Sequence, residues 1–130
     1  MPKKLGFTIA FISWMALVTL FSLVSFSEGT LGTINIPHFD KLAHFVFYLV
    51  AALLCYAFLW EMAGESLSWV KALIMAVCFA IFYGIIIEVI QSELTRTRQG
   101  DFLDILANTL GALLAAVIIK IRFSGKRWLK

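Results

Sequence analysis

Four stretches of the chain are apolar and nearly free of charge, and polar segments separate them. They run from about 5–26, 42–60, 69–91 and 102–121. Each offers close to the roughly 20 residues that a helix needs to cross a bilayer core. The first carries no charge. The second is broken only by His44. The third has Lys71 at its start and Glu88 near its end, and the fourth has Asp104 and Asn108 near its start. In lipid the backbone must satisfy its own hydrogen bonds, so each stretch predicts an α-helix. The expected fold is all-α: a four-helix transmembrane bundle, a single domain over residues 1–130. Two connections are short, and 27–41 is a longer loop. No repeat or low-complexity segment is visible.

Composition narrows the class further. The chain has 130 residues, 62% of them hydrophobic and only 15% charged, with 12 Phe. A domain of this size buries only about 60–70% of the surface its unfolded chain exposes, so it has no way to hide so much apolar surface in water. A soluble enzyme, a free nucleic-acid-binding domain and a disordered chain are all excluded. The net charge of +3 does not point to nucleic acid, because seven of the eleven cations sit at the chain ends. Such flanking cations set topology and meet anionic lipid. Cys55 and Cys78 each lie within an apolar run and read as packed thiols, with neither a disulfide nor a metal-binding spacing.

Orientation follows from Lys and Arg near the span ends. With both termini in the cytoplasm, Lys3, Lys4, Lys71, Lys120, Arg122, Lys126, Arg127 and Lys130 lie inside. Only Lys41, Arg96 and Arg98 lie outside. The positive-inside rule favours that arrangement, in a bacterial cytoplasmic membrane. The first apolar stretch exceeds the roughly 7–15 residues of a signal peptide's apolar core and is expected to remain as a helix.

The remaining polar groups gather at one depth. Asp40, Lys41 and His44 open the second span, and Glu88 and Gln91 close the third. Arg96, Arg98 and Asp101 follow in the connection, and Asp104 and Asn108 open the fourth. In this topology all lie at the outer ends of helices two, three and four. Helical spacing puts Asp40, His44 and Tyr48 within an arc of about 80°, and Asp101, Asp104 and Asn108 within about 60°. An ionisable group about one turn inside the membrane must face protein or water. Two rows of small residues, Ala72-Ala76-Ala80-Gly84 and Ala107-Gly111-Ala115, lie along or beside these groups. Such rows let membrane helices approach closely, which aims the polar ends at one another. The loop residues Leu31, Ile34, Ile36 and Phe39 are expected at the outer surface, either partly covering the cluster or as an ordinary connection.

Three blocks of these residues, in order, resemble the VanZ-like family of small membrane proteins. The first is Asp40-Lys41-Leu42-Ala43-His44 with Phe45 and Tyr48. The second is Gly84, Glu88 and Gln91. The third is Arg98, Asp101, Asp104, Asn108 and Gly111. The resemblance covers residues 40–111. It implies a cell-envelope role, because the founding member is tied to low-level resistance to teicoplanin, which binds cell-wall precursor outside the membrane. It implies no biochemical mechanism.

Four functional readings remain open. One is a structural salt-bridge network: Asp40, Glu88, Asp101 and Asp104 against Lys41, Arg96 and Arg98 leave a net charge of −1. Buried charges need such partners, but apolar residues would pack the same helix ends at lower cost. The second is an enzyme acting on a lipid phosphate or lipid-linked saccharide. Its candidate catalytic groups are His44, Glu88, Asp101 and Asp104. Its candidate ligand contacts are Asp40, Lys41, Tyr48, Gln91, Arg96, Arg98 and Asn108, with the arginines suited to phosphate. A divalent cation (Mg, Ca or Mn) on Glu88, Asp101 or Asp104 is a candidate cofactor, with Asn108 or His44 assisting. The third is a binding module for a lipid head group, using the same residues without chemistry. The last is a transporter, disfavoured because the polar groups stop at one face. The expected partners are membrane lipids and a polyprenyl-linked precursor.

Overall fold

The computed structural model describes residues 2–23, 39–94 and 102–127, with side chains at 3–23, 41–64, 66–91, 93 and 102–122. The described residues form four long helices and no strand. They are α1 (Pro2–Leu23), α2 (Phe39–Ala63), α3 (Trp69–Leu94) and α4 (Phe102–Arg127), with a single 3-10 turn, Gly64–Ser66, after α2. All four are long and apolar enough to cross a membrane. All four start before their apolar stretch or end after it. A helix needs internal bonds through the interface too, and long basic side chains there can reach outward to water.

The α2–α3 connection shows why these elements stop and start where they do. Gly64 adopts φ +60°, a left-handed conformation that ends α2 and that side-chain-bearing residues rarely take. Ser66 Oγ donates to the Ala63 carbonyl at 2.6 Å. Ser68 then caps α3: its Oγ accepts from the Lys71 amide at 3.2 Å, and its carbonyl accepts from the Ala72 amide at 3.0 Å.

Packing is inverted relative to a soluble bundle. The interior is small: Ala51, Ala52, Ala72, Ala76, Ala80, Ala112 and Ala115 are fully buried. The large apolar side chains point outward, with Phe82 65% and Ile121 67% exposed. Lipid solvates such side chains as well as protein does, so close backbone approach and dispersion hold the helices together. Both small-residue rows lie in the interior, as their spacing predicts. Gly111 marks the tightest approach: a Cβ there would overlap the Phe45 carbonyl oxygen of α2. The thiols divide, contrary to the expectation that both are packed: Cys55 is buried and Cys78 is exposed. A helix that is apolar all round gives no signal of which side faces lipid.

α1 is tied to the other helices by polar contacts as well as by buried Val18. Trp14 Nε1 donates to the Phe47 carbonyl of α2 at 2.9 Å. The Thr19 and Tyr83 hydroxyls hydrogen-bond, and Gln91 Nε2 donates to the Ser22 carbonyl. In a membrane such bonds hold helices in register, each contributing about 1 kcal/mol or less.

Candidate functional site

The start of α2, the end of α3 and the start of α4 lie at the same end of the bundle. His44 lies five residues into α2, Glu88 six residues before the end of α3, and Asp104 two residues into α4. At 1.5 Å per residue the first two sit about 8–9 Å inside their helix ends and Asp104 about 3 Å inside. All three are buried, as is Asn108.

The buried groups converge. His44 Nδ1 is 3.0 Å from Asn108 Oδ1 and 4.0 Å from Glu88 Oε1. His44 Nε2 is 3.7 Å from Asp104 Oδ2. Lys41 Nζ reaches the other Asp104 oxygen, Oδ1, at 3.1 Å. The Lys41 side chain is 24% exposed, whereas that of His44 is 4% exposed. The cluster thus opens past Lys41 and closes inward on His44. An amide oxygen carries no hydrogen, so Nδ1 of His44 donates to Asn108. In the neutral imidazole this leaves Nε2 as the basic nitrogen, facing Asp104.

Two side chains form the floor. Tyr48, one turn below His44, is fully buried and packs with Asn108 against Gly84. A Cβ at Gly84 would lie 2.9 Å from Asn108 Nδ2 and 3.2 Å from Tyr48 Cε1. A methyl group at this position would therefore displace the Asn108 amide and crowd Tyr48. The Tyr48 hydroxyl and Asn108 Nδ2 are buried and make no hydrogen bond among the described residues. A buried polar group without a partner costs about 1–3 kcal/mol, which singles out both atoms.

Of the residues singled out from sequence, His44, Glu88, Asp104, Asn108 and Lys41 come together, with Tyr48 beneath them. Gln91 is buried, and the bond from its side-chain amide to Ser22 ties α3 to the end of α1. Arg96, Arg98, Asp101, the Asp40 side chain and the 27–38 loop lie outside the described residues. Ser22 is the residue that sequence reasoning missed. It is 2% exposed, and its hydroxyl makes no hydrogen bond among the described residues. The available signal was its place as a polar residue near the end of an apolar helix, at the same level as Gln91.

The family model VanZ/LLP1 matches residues 4–123. The chain belongs to the VanZ/LLP1 family. No curated protein and no solved structure matches it. The match takes in all three polar blocks and reaches into all four helices, so this is a multi-pass membrane protein of the VanZ/LLP1 family. In this VanZ/LLP1 chain the family-like residues of the three blocks include the side chains that meet at one end of the bundle.

Proposed function

We propose that this VanZ/LLP1 protein binds a lipid-linked phosphate, such as a polyprenyl-linked cell-wall precursor, at the polar end of the bundle and acts on its head group. The observation that carries the reading is His44. It is a buried imidazole oriented by Asn108, flanked by two carboxylates and reached from outside past Lys41. An imidazole with one nitrogen fixed and the other beside a carboxylate suits proton transfer to or from a head-group oxygen. Lys41 supplies a donor at the mouth. Arg96 and Arg98, in the connection between α3 and α4, are the proposed phosphate clamps, since a guanidinium can fork across two phosphate oxygens. The long apolar flanks of the helices suit a prenyl or acyl chain.

The polar end faces outward in this reading, with both termini in the cytoplasm of a bacterial cell. The motive is the asymmetry of eight basic residues against three. Reporter fusions at each terminus and in the 96–100 connection test it, and a C-terminus on the outer side would overturn it. A role in glycopeptide resistance is the cellular extension, read out as a change in teicoplanin susceptibility on deletion.

Binding is tested by titrating polyprenyl phosphate and neutral polyprenol into purified protein, then repeating both with Arg96→Ala and Arg98→Ala. The phosphate should bind at least tenfold tighter than the alcohol, and each substitution should shrink that margin. Equal binding of both lipids throughout would sink the reading. A head-group binding module without chemistry is the second reading, supported by the absence of Ser and Cys nucleophiles among the clustered residues. Turnover of the bound lipid separates the two.

A further inference from the structure

We infer that His44, Glu88 and Asp104 form a binding site for a divalent metal ion that accepts mixed nitrogen and oxygen ligands, zinc or manganese, with His44 Nε2 as the nitrogen ligand. One ligand atom from each of the three residues lies within 4.8 Å of the others. Ligands on an ion with bonds of about 2.0–2.2 Å are separated by roughly 3–4 Å; Asp104 lies 3.7 Å from Nε2, and Glu88, 4.0 Å from Nδ1 of the same ring, closes the set by swinging toward Nε2. The three residues come from three helices that Gly84 and Gly111 let approach closely, so the backbone already holds them in place.

Three observations favour an ion over a purely internal network. First, Asn108 Oδ1 accepts the hydrogen bond from His44 Nδ1. Metal-binding histidines have their second nitrogen held in this way, which fixes the tautomer and aims Nε2 at the ion. Second, Asn108 Nδ2 and the Tyr48 hydroxyl are fully buried and make no hydrogen bond among the described residues. Polar atoms left so in a buried site call for a water or a ligand's polar group. Last, the donor set is mixed. An imidazole with two carboxylates suits zinc or manganese, whereas magnesium and calcium prefer oxygen alone. Three protein ligands also leave a coordination position open to an exogenous oxygen, the arrangement of catalytic rather than structural metal sites.

The inference shares its site with the lipid reading: an ion on Nε2 is compatible with head-group binding but takes the place of proton transfer by His44, and metal binding stands or falls without any lipid. The test strips purified full-length protein with a chelator and titrates zinc, manganese, magnesium and calcium separately, without lipid. It also adds cobalt(II) as a spectroscopic probe. One equivalent of zinc or manganese should bind, with magnesium and calcium at least about 100-fold weaker. Cobalt should develop ligand-field absorption that saturates at one equivalent. His44→Ala, Glu88→Gln and Asp104→Asn should each weaken binding at least 100-fold, and Asn108→Ala by about 10–100-fold. Metal should raise the unfolding temperature of the wild type but not of the three ligand variants. No stoichiometric binding, binding unchanged in all three variants, or binding of magnesium or calcium alone would overturn the proposal. If the variants fail to fold, the wild-type cobalt spectrum decides by itself, and absence of ligand-field bands counts against the site. Failure of polyprenyl phosphate to bind the metal-loaded protein would remove the lipid reading and leave this one intact.

Discussion

The two ends of this bundle place their polar groups in opposite ways. At the end formed by the start of α1, the end of α2, the start of α3 and the end of α4, Lys3, Lys4, Lys71, Lys120 and Arg122 are all exposed. The buried side chains there, Cys55, Tyr56, Ala72, Ala76 and Ile119, are apolar or aromatic. At the other end His44, Glu88, Asp104 and Asn108 are buried, with exposed Glu93 nearby on α3. The same four helices build both ends from the same kinds of apolar residue. The first end shows that this fold does not need buried charge to close. The charge buried at the second end therefore asks for a ligand, a reaction or an ion.

The largest effect should come from the packing that both ends share. Gly111→Ala places a methyl group against the Phe45 carbonyl and within 3.0 Å of the Leu49 amide nitrogen of α2. Backbone atoms cannot rotate away, so α4 must shift bodily from α2. A loss of about 3 kcal/mol or more is expected, at the upper end of overpacking costs. A methyl group added at Gly6 would meet nothing within 4 Å, so Gly6→Ala in α1 should be neutral or slightly stabilising, by up to about 1 kcal/mol. Unfolding in detergent measures both. If the two variants prove equally stable, the close approach of α2 and α4 is wrong.

Next in size is the functional loss at the polar end. Glu88→Gln and Asp104→Asn keep shape and remove charge. Binding of metal or lipid phosphate should fall at least 100-fold, while stability stays within about 1 kcal/mol. A neutral amide is cheaper to bury than a carboxylate, which offsets the lost pairing. A purely structural network predicts the reverse: a loss of about 3–5 kcal/mol when one partner of a buried pair is removed. Unfolding measured beside binding on the same samples distinguishes them.

How much of this was legible in the sequence depends on what each residue's neighbours could signal. The four helices were legible because length and apolarity are local properties, and Glu88 and Asp104 stood out because lipid does not tolerate them. Their convergence with His44 and Asn108 followed from equal depth and shared helical faces. The placement of α1 was not legible, so the bonds from Gln91 to Ser22 and from Tyr83 to Thr19 were not foreseen. The outward position of Cys78 was equally hidden, because a uniformly apolar helix does not mark its lipid side. The steric duty of Gly84 was half visible: its place in the row of small residues predicted close packing, but not that Asn108 and Tyr48 would fill the space.

That duty gives an intermediate effect. Gly84→Ala should push Asn108 away from His44, because the new methyl would lie 3.2 Å from Asn108 Cβ. A stability loss of about 1–3 kcal/mol is expected. Affinity for the probe metal should fall about tenfold, since Asn108 no longer fixes the imidazole. Unchanged affinity alongside lowered stability would mean that the Asn108–His44 bond does not orient the site.

The smallest effect should come from the charges at the opposite end. Glu61 and Arg122 line a shallow groove with Phe7, Tyr56, Trp60 and Ile119. Glu61 is only partly buried and Arg122 is exposed, so water and lipid head groups solvate both without help from the protein. Glu61→Gln and Arg122→Gln should each change stability by no more than about 0.5 kcal/mol, the usual range for surface positions. Neither should alter metal or lipid-phosphate binding. The groove makes this a severe test, because an arginine beside apolar and aromatic walls has the chemistry to hold a lipid head group. Lipid titration of Arg122→Gln beside Glu88→Gln compares the two ends directly. A tenfold loss in the first with none in the second would move the ligand site to this groove. The buried carboxylates would then be a structural network after all.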